Sequence, residues 1–246
     1  MPHSFAPRIL SLIIGSICAT FSILGASAQS QTANPAFGPV VDFDTDRNLS
    51  PEVQARVDKK SGRFENSASA PVAELPPDLE LSKQVSHWYV KVPPIPTAES
   101  DMVLVGTVVD AKAYITTNGR AVFSEFTFDV AQVLKNSSPQ NVSPGNNIIV
   151  DRDLANVRFS SGRVQHYGAV GKGAPVAGGQ YLLFLRFDKE AGSFEILTGY
   201  QLANGKVAAL DGKNAFGGSR RPYDDYDGQS ASKLLKLVSA STRGRS

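Results

Sequence analysis

Cysteine is nearly missing from this chain: Cys18 is the one cysteine among 246 residues. A single cysteine cannot close an internal disulfide, and Cys18 falls inside an N-terminal apolar run. No disulfide framework, thiolate nucleophile or Cys-ligated metal is therefore expected in the folded part. Histidine is scarce as well, with three residues, of which His87 and His166 lie beyond the N-terminal run. Neither has the His-Glu-x-x-His spacing that places two ligands on one zinc ion. A strong excess of charge is also lacking, the formal net charge being +2. By segment, seven cations face ten anions over 29–100, ten face ten over 101–212, and seven face three over 213–246. The basic character thus belongs to the C-terminal tail, and the neutral middle lacks the cationic stripe that nucleic-acid binding requires.

Long apolar runs are confined to 9–24, which follow a single cationic residue, Arg8. The run ends at Gly25-Ala26-Ser27-Ala28-Gln29, where the small Ala26 and Ala28 suit a signal peptidase. This pattern predicts a signal peptide over 1–28 and a mature chain that begins at Gln29, secreted or periplasmic. An uncleaved anchor is the competing reading, because the run approaches the ~20 residues that span a bilayer. Ile17 before Cys18 is too bulky for lipoprotein processing.

Residues 29–98 read as a flexible, disordered arm, rich in Ser, Ala, Pro and charge with no sustained periodicity. One exception is a short helix over 51–59, where Ser50 caps and Pro51 takes the first helical position, with Val53 and Val57 on one face. Such a sparse apolar stripe predicts weak docking. Further on, 85–92 is β-prone and contains Trp88, expected to cover one edge of the core.

A β domain is expected over 99–212. Residues 102–115 are apolar on both faces around Gly106, as in a long covered strand that bends at the glycine. Thr117-Asn118-Gly119-Arg120 reads as a tight turn, since Asn-Gly accepts positive φ. The following strand, 124–134, alternates: Phe126, Phe128, Val130 and Leu134 inward, Glu125, Thr127 and Asp129 outward. A short strand at 148–150, a hairpin of 157–159 with 164–167, a central strand at 181–185 and strands at 194–200 and 206–210 complete about seven strands at close spacing. The tail, 213–246, is polar and carries a short helix over 231–241 with Leu234, Leu235, Leu237 and Val238 as its apolar stripe.

Three segments, Val103-Leu104-Val105-Gly106-Thr107-Val108, Phe126-Thr127-Phe128-Asp129-Val130-Ala131-Gln132-Val133-Leu134-Lys135 and Gly179-Gln180-Tyr181-Leu182-Leu183-Phe184-Leu185, together resemble the OB-like barrels of the netrin and metalloproteinase-inhibitor (TIMP-like) group. The pattern is also similar to a family of exported bacterial proteins with no assigned activity. The resemblance covers about residues 101–200 and implies an all-β fold: a small OB-like Greek-key β-barrel with a disordered N-terminal arm and a short C-terminal helix. Inhibitors of that group grip a catalytic metal with an N-terminal cysteine, whereas the expected mature terminus here is Gln29-Ser30-Gln31. No functional residue is carried over from the group.

Other motifs fall short of a site. Asp42-Phe43-Asp44-Thr45-Asp46 has the alternate-acid spacing of a calcium loop, but Arg47 stands where the loop needs Gly and Val53 where it needs Glu. Asp224-Asp225-Tyr226-Asp227-Gly228 follows Tyr223 rather than an acid. Gly168-Ala169-Val170-Gly171-Lys172-Gly173 lacks the Gly-Lys-Ser/Thr ending of a phosphate loop. No serine lies in a Gly-x-Ser-x-Gly elbow, which leaves His166 as the one attractive base for a hydrolase. The sequence therefore assigns no catalytic, cofactor-binding or metal-ligating residue and calls for no cofactor. It favours an exported, non-catalytic binding module for a protein, peptide or envelope polymer, with the 117–120 and 168–179 loops as first candidates for contact. A hydrolase with a site assembled in the fold and a protease inhibitor are the alternatives.

Overall fold

The computed structural model describes residues 38–44, 49–65, 70–76, 92–169, 171–212, 223 and 225–243. Strands dominate. In chain order the elements are β1 (Val40–Asp42), α1 (Pro51–Glu65), β2 (Met102–Ile115), β3 (Val122–Asn136), β4 (Asn147–Arg152), β5 (Leu154–Arg158), β6 (Val164–Gly168), β7 (Gln180–Asp188), β8 (Ser193–Ala203), β9 (Lys206–Ala209) and α2 (Ala231–Arg243). His87 and Trp88, residues 45–48 of the expected calcium loop and Asp224 lie outside the described residues.

Five strands close a ring. β2, β3 and β4 form an antiparallel meander, and β7 pairs with the other side of β2, Met102 opposite Leu185 and Thr107 opposite Gln180. β8 lies antiparallel to β7 and closes the ring through a short parallel pairing with β4, Val150 opposite Phe194. Three meander strands and a returning pair whose last strand meets the third in parallel make this an OB-like Greek-key barrel. β9 extends it beyond β8. Inward-facing Met102, Leu104, Phe126, Phe128, Val150, Leu183 and Phe194 fill the interior, as strand alternation dictates.

The barrel bends where its sequence permits. A Cβ on Gly106 would stand 2.6 Å from the Asp129 carbonyl oxygen, so only glycine lets β2 and β3 approach there. Register shifts on β2 fall beside Val103 and Val105 and between Val108 and Asp110. The first explains one departure from the alternation. Leu104 pairs with Val133 and Val103 with Lys135, so Leu134 is the extra residue of a bulge; it joins the outer apolar cluster, and Val133 turns to the interior.

α2 packs beside β3 and β9, and its buried Leu234 and Val238 join Val103, Phe184, Tyr200 and Val207 in an apolar cluster on the outside of the barrel. Leu237 is 48% exposed, so the stripe is narrower than the sequence suggested. A second sheet in the order β1-β5-β6 stacks Val41, Val157 and Phe159 against Ala113 and Val122 at the far end of the β2–β3 hairpin.

The described part of the expected arm packs on the barrel. β1 runs parallel to β5, Val40 opposite Asn156, and residues 70–76 lie along β6 and the hairpin tip, with Leu75 N–H donating to Gln165 Oε1 at 3.0 Å and Val72 N–H to the Gly119 carbonyl at 2.8 Å. α1 extends six residues beyond the predicted end, and its docking is strong. Composition misled here because α1 is fixed by charge and by Phe64, not by a continuous apolar stripe.

Candidate functional site

α1 begins as its sequence dictates, with the Val53 N–H reaching Ser50 Oγ at 3.4 Å and the Gln54 N–H reaching the Ser50 carbonyl at 2.8 Å. Arg56, Lys60 and Arg63 recur at spacings of four and three, which puts them on one helix face. That face lies on the outer side of β3 and β4, the second and third strands of the barrel. Lys60 Nζ donates to Glu125 Oε1 and to Asp151 Oδ1, both at 2.7 Å. Arg56 Nε meets Glu125 at 3.0 Å, and Arg63 spans Asp151 at 2.9 Å and Asp188 at 3.2 Å. Ser193 Oγ donates to Asp151 Oδ2 at 2.5 Å. Glu125 and Asp151 are cross-strand partners, which sets the two carboxylates side by side. Lys60 is 3% exposed, Glu125 5% and Asp151 0%. Phe64, one turn on from Lys60, stacks on Phe123 with centroids 4.7 Å apart and seals one end of the cluster.

Glu125 was expected to face out, and with respect to the barrel it does. The helix above it turns that outer position into a buried one. Burial works against the Arg56 charge, yet Glu125 outweighs it and holds Arg56 above its ordinary value. Burial and the Glu125 charge together push the Tyr114 phenol up, although Arg56 Nη2 donates to it at 3.2 Å.

OB barrels commonly bind ligands on the face of their second and third strands and with the two adjoining loops. Here α1 occupies that face and holds both loops. The 117–120 tip is clasped: Thr117 Oγ1 donates to Asp58 at 2.5 Å, and the Thr117 N–H reaches Ser61 Oγ at 3.1 Å. Asp188, at the β7–β8 turn, takes Arg63. The tip itself is not the tight turn expected, because only Gly119 has positive φ, 69°. The 168–179 loop is tied down too. Lys172 pairs with Asp153, the Gly173 N–H donates to Asp211 Oδ1 at 2.9 Å, and the Gly178 N–H to the Val108 carbonyl at 2.8 Å. Asp211 in turn pairs with the fully buried Arg152, so the loop is stapled to β4.

Among the described residues a groove of about 450 Å³ opens beside α1, between β1 and the distal half of β2. Val40, Val41, Leu49, Val53, Ala111 and Ala113 give it apolar walls, and Arg56, Lys112, Asp42 and Tyr114 supply polar groups. β2 pairs with β7 only from Met102 to Thr107, which is why its distal half borders a groove instead of a strand. Sequence reading missed this site, since β1 and the start of α1 lie more than fifty residues from the stretch of β2 that completes its walls.

The other expected candidates are dispersed. His166 Nδ1 lies 3.2 Å from Asn156 Oδ1 on β5, and Asp42 pairs with Arg158 at 3.1 Å. Asp227 accepts the Ala209 N–H at 2.8 Å. Among the described residues no group of three or more His, Cys, Asp or Glu side chains is arranged to hold a metal, and no helix is long and apolar enough to cross a membrane. No protein-family model and no curated protein sequence matches the chain.

Proposed function

We propose that this is an exported, non-catalytic binding module that takes a protein or peptide segment in the groove between β1, α1 and β2. The observation that carries the reading is the groove itself: apolar walls with Asp42, Arg56, Lys112 and Tyr114 among its lining, beside a barrel face that the chain's own helix fills. A site open along one side suits a segment of polypeptide laid across it better than an enclosed small molecule. The apolar walls would hold side chains of the partner, and the polar lining groups its backbone. The reading extends the likeness to netrin and metalloproteinase-inhibitor barrels, but with surface contact in place of a metal-gripping cysteine. Export rests on the N-terminal leader pattern.

The test is capture from the extracellular or envelope fraction of the source by tagged protein, run beside a Val53→Glu, Lys112→Glu variant whose fold is checked by circular dichroism. The expected result is a protein retained by the native chain and lost from the variant. Equal retention by both would place the contact elsewhere.

A further inference from the structure

We propose that Lys60 and Asp151 condense into an intramolecular isopeptide bond, with Glu125 as the proton carrier. This goes beyond the binding reading and does not rest on it. The three side chains required for such a bond, an amine, a carboxyl and a second carboxyl in contact with the amine, meet here at hydrogen-bond distance. Lys60 Nζ is 2.7 Å from an oxygen of each acid. All three are buried, which keeps bulk water away from the reacting atoms. Fixed contact between nucleophile and electrophile supplies the high effective concentration that a condensation in water lacks.

Each step has a group placed for it. A proton passes from Lys60 Nζ to Asp151 Oδ1 along their hydrogen bond. The free amine pair then attacks Asp151 Cγ, and the carbonyl pair moves onto Oδ2. Two donors already address that oxygen, Arg63 Nη2 at 2.9 Å and Ser193 Oγ at 2.5 Å, as an oxyanion site demands. Glu125 Oε1 takes the second proton from nitrogen and returns it to the Oδ1 hydroxyl, which departs as water while the carbonyl re-forms. Arg56 keeps Glu125 in place through Nε contacts to both carboxylate oxygens, at 3.0 and 3.2 Å. One C–N bond forms, one C–O bond breaks, and no oxidant or reductant takes part. The charge ledger also closes. Loss of one cation and one anion leaves Arg56 with Glu125 and Arg63 with Asp188, both pairs already in contact. The product ties α1 covalently to the barrel in a chain whose single cysteine can form no internal disulfide.

The experiment is tryptic mass spectrometry of the purified full chain, with denaturation before digestion. The expected product is a branched peptide in which residues 60–63 hang from residues 136–152, lighter than the two free peptides together by one water. Lys60→Arg keeps the cation but offers no amine nucleophile, and Glu125→Gln removes the proton carrier, so in both the branched species should be absent. Recovery of the free 136–152 peptide from natively folded wild-type protein, with trypsin cutting after Lys60, would overturn the proposal without the need for any variant.

Discussion

Asp151 is held by Lys60, Arg63 and Ser193 on its two oxygens and has no exposure to solvent. Removal of one partner from a buried pair leaves the other charged and unsolvated. Asp151→Ala should therefore destabilise the fold by about 3–5 kcal/mol in urea melts. Arg158→Ala, which breaks the exposed pair with Asp42, should cost at most about 1 kcal/mol in the same assay. Asp188 gives a pH signature. Burial alone would raise its pKa, but the N–H groups of Ala191 and Glu190 and the Arg63 charge outweigh it and hold the carboxyl below the ordinary carboxylate range. Its contribution is then complete above the unfolded value of about 4 and is lost as the pH falls through the lower native value. The stability gap between wild type and Asp188→Asn should shrink below about pH 4; a gap that stayed constant would contradict this assignment. At the alkaline end, burial pushes the phenols of Tyr181, Tyr200 and Tyr223 up, with nearby Tyr223 and Tyr226 adding to the effect at Tyr200. Ultraviolet titration should show these tyrosines lagging a free phenol, and stability should decline as the pH rises past about 10. None of this was legible in the sequence, because alternation tells which face of a strand a residue takes and not what covers that face. Glu125 is the instance: correctly placed outside the barrel, and yet buried under α1.

α1 shows why helix ends are hard to read. The sequence marks its start through Ser50 and Pro51, but the helix runs past the expected end at residue 59, through Ser61 and Gly62. Ser61 Oγ bonds the Val57 carbonyl at 2.9 Å, and Phe64 anchors the last turn on Phe123. Phe64→Ala should therefore cost about 3–5 kcal/mol, measured by chemical denaturation. On α2 the same contrast falls within one stripe. Leu234→Ala should cost about 2–5 kcal/mol, while Leu237→Ala, at an exposed site, should stay within about 0.5 kcal/mol. The two Asn-Gly pairs make a further lesson. At Asn204-Gly205 both residues have positive φ, 52° and 72°, and join β8 to β9 in the tight turn that this dipeptide favours. At Asn118-Gly119 only the glycine does, because Thr116 Oγ1 and Asn118 Oδ1 bond the backbone of a wider four-residue loop. Local chemistry marks both as turns, and the surrounding hydrogen bonds select the type.

At the scale of the whole molecule, the barrel was legible because its core strands carry the apolar pattern: the stretch from Met102 to Val108 and the run within Gln180–Asp188 are covered as expected, whereas Val109, Asp110 and Lys112 of the same β2 are exposed where its pairing with β7 has ended. The second sheet was half legible. Its β5–β6 hairpin was marked by the sequence, but β1 joins from more than a hundred residues away through a three-residue parallel pairing that leaves no local trace. The groove is the sum of such distant pieces, and it carries the functional account. Its most direct test is hydrogen exchange on the full chain, alone and with the captured partner. Binding in the groove predicts new protection at residues 40–42, in the first turns of α1 and at residues 111–114, with the 168–179 loop unchanged. Protection confined to that loop or to α2, with the groove exchanging as before, would contradict the account.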